Sequence, residues 1–317
     1  MAERGVALKS IEPISIKEGE RDSDKFAQAL GDCFTRYGFA VISEHGIRPD
    51  IIHDGFDRAR QFFALPEDIK RRYVVPAGGG QRGFTPFGIE TAKGAARADL
   101  KEFWHVGRNL PPGHALATTM PPNLHVGEIA DFDAATYRLF ESMDALGLRI
   151  LSGIALFLGL PADFFDAKVA MGNSILRLLH YPPVSSGAEG IRAGAHEDIN
   201  VITLLLGAEE SGLQLLDREG NWLAVNPPPD CIVVNIGDML QRLTNHMLPS
   251  TTHRVVNPAA ERATRPRYSL PFFQHFVSDY VIETLPSCIS PARPNRYPVP
   301  ITADGYLHER LAEIKLL

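Results

Sequence analysis

From Ser174 onwards the chain reads as short apolar segments separated by turns that contain proline and glycine. The segments are SILRLLHYPP, NVITLLL, GLQLLD, NWLAVNP, CIVVNIG, THRVVNP and RYSLPFFQHF. Short, closely spaced strands of this kind are typical of a sandwich or a barrel. Long crossover helices are missing between the segments, which disfavours a parallel α/β sheet. We therefore expect a double-stranded β-helix, or jelly roll, at about residues 174–280.

Helical patterns surround this predicted core. Residues 24–37 carry apolar side chains at helical spacing, and Pro49 suits the first turn of a second helix. A longer helix is predicted from Asp133 to about Leu158, and a last one over residues 304–315. The predicted fold class is α+β with a mainly β core, in which N-terminal helices, a long spine helix and a C-terminal helix flank the jelly roll.

A proline-rich stretch divides the chain into two regions. Residues 110–123 predict an extended connection. Residues 1–123 form the N-terminal region of helices and strands, and residues 124–317 hold the spine helix, the jelly-roll core and the C-terminal helix. At 317 residues the chain has ample material for a buried core, and we expect the two regions to pack as one compact unit.

Charge and cysteine content narrow the class of protein. The formal net charge of −6 argues against an extended nucleic-acid surface, which would normally be basic. The cysteines Cys33, Cys231 and Cys288 are scattered and unpaired in sequence, as expected in a reducing compartment. No stretch is long and apolar enough for a membrane span. We predict a cytoplasmic monomer or weak homo-oligomer whose partner is a small-molecule substrate, without a nucleic-acid or membrane partner.

His196 and Asp198 predict a metal site at the start of the core. They are one residue apart, and on a β-strand residues i and i+2 point to the same face. His253, from a distant segment, could supply a third ligand. Two imidazoles and one carboxylate that leave coordination positions open are typical of non-haem Fe(II) oxygenases, which need the open positions for a co-substrate and O₂.

The residues around this triplet carry a resemblance to a known family. The matching motifs, in chain order, are His196-x-Asp198 with Asn200, Thr203-Leu204-Leu205, Gly212-Leu213-Gln214, Gly220-Asn221-Trp222, Val233-Val234-Asn235-x-Gly237-Asp238, Thr244-Asn245, Ser250-x-x-His253-Arg254-Val255 and Arg267-x-Ser269. Together they resemble the 2-oxoglutarate/Fe(II) dioxygenase superfamily, in its isopenicillin N synthase-like branch. The N-terminal segments YGFAVISEHGI and FFALPEDIK resemble the same branch, so the resemblance covers most of the chain.

The resemblance implies an enzyme that uses Fe(II), 2-oxoglutarate and O₂ to oxidise a small organic substrate, with release of succinate and CO₂. Hydroxylation is the first expectation, and desaturation and cyclisation are variants of it. His196, Asp198 and His253 would be the catalytic metal ligands. The substrate stays open among amino acid derivatives, natural-product intermediates and, in ethylene-forming chemistry, 2-oxoglutarate alone.

The co-substrate site is predicted from a second motif. Arg267 offers a planar guanidinium that suits bidentate binding of a carboxylate, and Ser269 at i+2 shares its strand face. The family resemblance adds Tyr181 as a further contact. This chain departs from the family nearby, because Leu179 stands where an asparagine is common.

The resemblance also implies that residues 81–107 cover the mouth of the barrel and contribute to the substrate pocket. The predicted lining residues are Phe84, Phe87, Phe103, His180, Phe272 and Gln274.

Three other functions fit parts of the pattern. An oxidase of the same fold that uses no 2-oxoglutarate would bind its substrate with Arg267 and Ser269 and form no succinate. A zinc hydrolase would need a general base, and the adjacent Glu197 should point to the opposite strand face. A non-catalytic binding module would have no reason to retain all three metal ligands.

Overall fold

The computed structural model describes residues 11–76, 80–90, 98–183, 191–206, 212–257 and 264–313. The helices are α1 (Ile16–Arg21), α2 (Ser23–Tyr37), α3 (Pro49–Phe63), α4 (Glu67–Arg71), α5 (Phe132–Phe157), α6 (Asp166–Val169), α7 (Asp238–Leu243) and α8 (Ala303–Glu313). The strands are β1 (Pro13–Ser15), β2 (Phe39–Ser43), β3 (Gly83–Thr85), β4 (Glu102–Gly107), β5 (Ile175–Tyr181), β6 (Ala193–His196), β7 (Ile202–Leu206), β8 (Leu213–Leu216), β9 (Trp222–Ala224), β10 (Ile232–Ile236), β11 (His253–Val255), β12 (Arg267–Gln274), β13 (Val281–Ile282) and β14 (Ile301–Thr302).

Two sheets form the β core. The major sheet has the strand order β1-β2-β10-β7-β12-β5-β4-β3, and the minor sheet has the order β6-β11-β8-β9. Neighbouring strands of the major sheet pair antiparallel, except that β1 runs parallel to β2. An apolar cluster combines Phe39 and Val233 of the major sheet with Leu215 and Val255 of the minor one. The two sheets therefore pack face to face, as expected of a jelly roll.

Helices cover the other face of the major sheet. Apolar side chains of α2, α3 and α5 join those of β5, β7, β10 and β12 in the largest apolar cluster. The spine helix α5 approaches β12 closely at Gly147, where a Cβ atom would lie 2.1 Å from Oε1 of Gln274. Each central strand of the major sheet thus has one face toward the helices and one face toward the minor sheet.

Within the described residues, the ends of the predicted helices lie within two residues of those in the structure. The predicted helix over residues 24–37 is α2, and it ends before Gly38, whose φ of 67° suits glycine. The predicted spine helix is α5, and the predicted last helix is α8. No helix within the described ranges is long and apolar enough to cross a membrane.

Both regions of the chain contribute to the major sheet. Strands β1 and β2 form one edge and β3 and β4 form the other, and all four precede residue 124. The central strands β10, β7, β12 and β5 follow it. The N-terminal region of the chain therefore supplies both edges of the major sheet.

Candidate functional site

Three side chains from separate segments converge between the two sheets. In the minor sheet, His196 of β6 lies directly opposite His253 of β11. The Nε2 atoms of these two histidines lie 3.8 Å and 3.9 Å from Oδ1 of Asp198. Each of the three side chains has a possible ligand atom within 4.8 Å of the others, and no other group of this kind occurs in the described part of the chain. One metal ion could contact all three.

Asp198 reaches this position without being part of a strand. β6 ends at His196, so the same-face argument from strand geometry does not apply to Asp198. Its carbonyl oxygen instead accepts a hydrogen bond of 2.7 Å from the backbone N–H of Asp238, at the start of α7. The contact holds the turn between β6 and β7 in place beside the histidines.

Hydrogen bonds orient both imidazole rings. Nδ1 of His196 lies 2.7 Å from the carbonyl oxygen of Gly194, and Nδ1 of His253 lies 3.1 Å from that of Thr251. A carbonyl can only accept, so each Nδ1 carries the proton in these contacts. Each Nε2 is then left with its lone pair, which is the state that binds a metal.

The carboxylate of Asp198 is oriented in a similar way. Its Oδ2 accepts hydrogen bonds from Oγ1 of Thr203 at 2.5 Å and from Nδ2 of Asn235 at 2.8 Å. Nδ2 of Asn200 in turn donates to Oγ1 of Thr203 at 3.0 Å. Because these contacts engage Oδ2, Oδ1 is left facing the two histidines.

The electrostatics of the triplet favour metal binding. Burial lowers the pKa of His196 to about 4, and the neighbouring His253 contributes to the lowering. Burial acts to raise the pKa of Asp198, but the two histidines and the hydrogen bonds to its carboxylate lower it overall. At neutral pH, His196 is therefore uncharged and Asp198 ionised, which are the protonation states that metal ligands require.

A small cavity beside the triplet contains the residues predicted for the co-substrate. Arg267 and Ser269 of β12 pair with Tyr181 and Leu179 of β5, and all four border this cavity together with the triplet. The guanidinium carbon of Arg267 lies 4.9 Å from the centroid of the Tyr181 ring. The structure thus brings together the three predicted co-substrate residues next to the candidate metal ligands.

A larger cavity of about 500 Å³ shares His196 and Asp198 with the smaller one. Its lining includes Gln81, Glu90, Asp99, Lys101, His105, Asn173, Arg177, His196, Asp198, Phe273, His275, Leu307 and Arg310. These residues come from the β3–β4 region, from β5, from the end of β12 and from α8. The cavity is large enough for a small organic molecule.

Phe272 and Gln274, which the sequence predicted in the substrate pocket, lie on the opposite face of β12. The ring of Phe272 is fully buried against Phe140 of α5, with centroids 5.2 Å apart. The side chain of Gln274 is fully buried as well. Because neighbouring residues of a strand face opposite sides, Phe273 and His275 border the cavity instead. The prediction for Phe272 and Gln274 was wrong.

His180 and Phe84 also face the helices. Nδ1 of His180 lies 2.7 Å from Oε1 of Glu102, and its ring stacks on Phe63 of α3 at 5.1 Å. The ring of Phe84 packs against Phe62 at 5.7 Å. The pocket prediction was wrong for both, because it used residue type without deciding which strand face each residue occupies.

The remaining two predicted pocket residues lie near the cavity but not on its surface. The ring centroid of Phe103 lies 4.0 Å from the guanidinium carbon of Arg177, so Phe103 packs against a residue of the cavity wall. Phe87 is 47% exposed and does not border either cavity. Neither residue therefore contacts the cavity as predicted.

Glu197 directly follows His196, beyond the end of β6. It borders the larger cavity, and its Oε1 accepts a hydrogen bond of 2.9 Å from Oγ1 of Thr252. The expectation that Glu197 points away from the metal ligands stays a prediction.

Lys101, His105, Arg177 and His275 are cavity residues that sequence reasoning missed. A signal was present for Arg177, because Tyr181 was expected to face the co-substrate and residues at i−4 on a strand share its face. The same rule extends from Ser269 to Phe273 on β12. A signal was also present for Lys101 and His105, because the predicted pocket residue Phe103 lies between them and residues at i±2 on a strand share its face.

Comparison with known proteins identifies a family. Residues 172–276 match the 2OG-Fe(II) oxygenase superfamily, and residues 11–128 match the family of N-terminal regions described as non-haem dioxygenase in morphine synthesis. A proline hydroxylase from Petromyces alliaceus is 32% identical, over 94% of this chain and 96% of its own length.

Two crystal structures share the fold closely. A protein from Caulobacter crescentus described as belonging to the 2OG-Fe(II) oxygenase family is 55% identical, with a TM-score of 0.90 over 96% of this chain and 99% of its own. A full-length Neurospora crassa protein, in complex with alpha-KG and thymine, is 30% identical, with a TM-score of 0.84 over 98% of each chain.

Proposed function

This chain belongs to the 2OG-Fe(II) oxygenase superfamily and is a 2-oxoglutarate-dependent Fe(II) dioxygenase, and we propose that it hydroxylates a small polar molecule held in the larger cavity. Such an enzyme consumes 2-oxoglutarate and O₂ and releases succinate and CO₂. Hydroxylation is the reaction named for the relative from Petromyces alliaceus. Product analysis would distinguish it from desaturation or cyclisation.

We assign the Fe(II) ion to His196, Asp198 and His253. The observation that carries the proposal is that their ligand atoms lie within 4.8 Å of one another, while hydrogen bonds engage both Nδ1 atoms and Oδ2 of the aspartate. Two imidazole nitrogens and one carboxylate oxygen suit ferrous iron, which binds mixed nitrogen and oxygen ligands. Three ligands leave coordination positions for the co-substrate and O₂.

We assign the far carboxylate of 2-oxoglutarate to Arg267, Ser269 and Tyr181. Arg267 is 4% exposed, so an ionic hydrogen bond from its guanidinium to a carboxylate would be well shielded from water. When bound, the iron and 2-oxoglutarate supply the oxidising chemistry, which the protein side chains do not provide. The contribution of the chain is to orient these groups and to exclude water, and Asp198 and His253 are 8% and 7% exposed.

The isopenicillin N synthase-like branch stays a prediction from the sequence motifs. In an oxidase of that kind without 2-oxoglutarate, Arg267 and Ser269 would bind the substrate, and turnover would release no succinate. A cytoplasmic location, a monomer or weak homo-oligomer and the lack of a nucleic-acid partner also stay predictions.

Anaerobic titration with Fe(II) and 2-oxoglutarate tests the assigned site. We expect the weak visible band of the iron–2-oxoglutarate chelate in the wild-type protein and its loss in Asp198→Ala. The matched control is Asp166→Ala, because Asp166 is exposed in α6. Full retention of the band in Asp198→Ala would contradict the metal assignment. Release of succinate on admission of O₂ would separate a 2-oxoglutarate-dependent enzyme from an oxidase that does not use it.

A further inference from the structure

The charged side chains in one wall of the larger cavity are already paired with one another. Nζ of Lys101 lies 2.7 Å from Oδ2 of Asp99 and 3.2 Å from Oε1 of Glu90. Nη1 of Arg177 lies 3.3 Å from Oε2 of the same Glu90. All four side chains are at most 20% exposed. The two positive and two negative charges cancel, so this wall has no net formal charge.

The arginine in this wall is held firmly. Nε of Arg177 donates a hydrogen bond of 2.7 Å to Nε2 of His105. Its guanidinium carbon lies 4.0 Å from the ring centroid of Phe103 and 5.2 Å from that of Phe273. Arg177 is therefore fixed between two aromatic rings and is already engaged with a carboxylate.

A charged substrate would disturb this arrangement. An anion that approached Arg177 would also approach the carboxylate of Glu90, and a cation that approached Glu90 would meet Lys101 and Arg177. Separating a buried ion pair leaves an uncompensated charge, which is strongly unfavourable. An uncharged substrate avoids this cost, because it leaves every pair of the wall intact.

His275 supplies a different kind of contact. Its backbone N–H donates a hydrogen bond of 3.2 Å to Oγ of Ser174, and its carbonyl oxygen packs against Gly172, where a Cβ atom would lie only 1.9 Å away. The imidazole borders the cavity. Among the described residues, its ring nitrogens have no hydrogen-bond partner. The rigid backbone thus presents a nearly buried polar ring to the space where a substrate would lie.

The imidazole of His275 is uncharged at neutral pH. Burial lowers its pKa to about 4, although the negative charge of Asp198 acts in the opposite direction. A neutral imidazole has one N–H donor and one nitrogen acceptor. Because these nitrogens face the cavity, a ligand with a complementary donor and acceptor could pair with both of them.

We propose that the substrate is an uncharged molecule with adjacent hydrogen-bond donors and acceptors, such as a cyclic amide or nitrogen heterocycle, and that His275 positions it. The inference rests on the proposed function, because it specifies the substrate class of the same site. The neutral amides of Asn173 and Gln81, which are hydrogen-bonded to each other at 3.2 Å, border the same cavity and fit the same class.

Binding to the anaerobic Fe(II)–2-oxoglutarate enzyme tests the proposal. The probes are a pyrimidine-2,4-dione (thymine), a 2-pyridone and a diketopiperazine, each compared with a carboxylate and an ammonium derivative of the same ring. Thymine is included because the Neurospora crassa protein of similar fold was solved in complex with it. Ligand-observed NMR should show that uncharged members bind more tightly than their charged derivatives, by about tenfold or more.

Variants of His275 test its role. His275→Phe keeps an aromatic ring but removes both hydrogen-bonding nitrogens, and it should weaken binding of the uncharged probes by about tenfold. His275→Asn should restore part of the affinity, because an amide again offers a donor and an acceptor. The matched control is His53→Asn, on the exposed face of α3. The variants should keep the visible band and the wild-type melting temperature, which a merely structural role would not predict.

The possible outcomes separate the two proposals. Tighter binding of charged derivatives, equal affinity within each series, or no binding of any uncharged probe at millimolar concentration would overturn the substrate class. Unchanged affinity in both His275 variants would overturn the role of His275. Loss of the visible band in the wild-type sample would instead count against the assigned iron and 2-oxoglutarate site. If His275→Phe does not fold, the comparison of wild type with His275→Asn decides the role.

Discussion

The two faces of strands β5 and β12 carry side chains of different character. Toward the minor sheet they present the cationic and hydroxyl side chains of Arg177, Tyr181, Arg267 and Ser269. Toward the helices they present mostly apolar side chains that pack into the main core, such as Phe272. Position parity along a strand, rather than residue type, therefore decides which side chains can take part in the chemistry.

Phe272 and Phe273 offer the strongest test of this comparison. Phe272→Ala should lower the free energy of unfolding by about 3–5 kcal/mol, because it opens a cavity in a closely packed core beside α5. Phe273→Ala should cost much less stability, because its ring borders an existing cavity, and it should affect substrate binding instead. Urea denaturation measures the first effect. Equal losses of stability in the two variants would show that the two rings do not lie on different faces of β12.

Arg267 and Tyr268 test the same contrast at the co-substrate site. Arg267→Ala should raise the KM for 2-oxoglutarate by about 10- to 100-fold, since an ionic hydrogen bond contributes roughly 1.5–3 kcal/mol. Tyr268→Phe is the matched control, because the Tyr268 ring lies on the helix face and stacks on His180 at 4.8 Å. Succinate release as a function of 2-oxoglutarate concentration gives both values. A similar rise in Tyr268→Phe would show that the two faces are not separate.

The smallest expected effect concerns Glu102 on the helix face. Burial acts to raise the pKa of Glu102, but hydrogen bonds from His180 and Lys70 lower it overall from 4.5. A carboxyl group with a lowered pKa in the folded state stabilises the protein above its unfolded pKa, and this stabilisation is lost as the pH falls through the folded value. The stability of the wild type should therefore decrease below about pH 4.5.

The variant Glu102→Gln isolates this effect, because glutamine cannot titrate. Urea denaturation at pH 7, 5 and 4 should show a steeper loss of stability in the wild type than in the variant. At neutral pH the cavity face should be unaffected, and the KM for 2-oxoglutarate should stay the same. If the stability of both proteins depends on pH in the same way, the carboxyl group of Glu102 does not contribute to that dependence.

The fold and the motif residues of the candidate site could be predicted from the sequence, but most of the cavity wall could not. The helices α2, α5 and α8 followed from apolar periodicity, and the jelly roll followed from the short strands after Ser174. The motif residues His196, Asp198, His253 and Arg267 could be named because each belongs to a fixed local pattern.

The cavity wall was harder to predict, for two physical reasons. Some errors were avoidable, since the parity of Arg267 and Ser269 already excludes Phe272 from the same face. Other residues depended on distant pairing. Glu90, Lys101 and Arg177 meet because β4 and β5 pair side by side, and one sequence does not specify the register of that pairing.

The pairing of β2 with β10 also bears on how the chain is made. β2 is complete once Ser43 has left the ribosome, but its antiparallel partner begins only at Ile232. At roughly 5–20 residues per second, the apolar strand Phe39–Ser43 waits about 10 to 40 seconds for that partner. Until β10 is made, β2 can pair with the short strand β1 but lacks the native partner of its other edge, and an unpaired apolar edge is a known aggregation hazard.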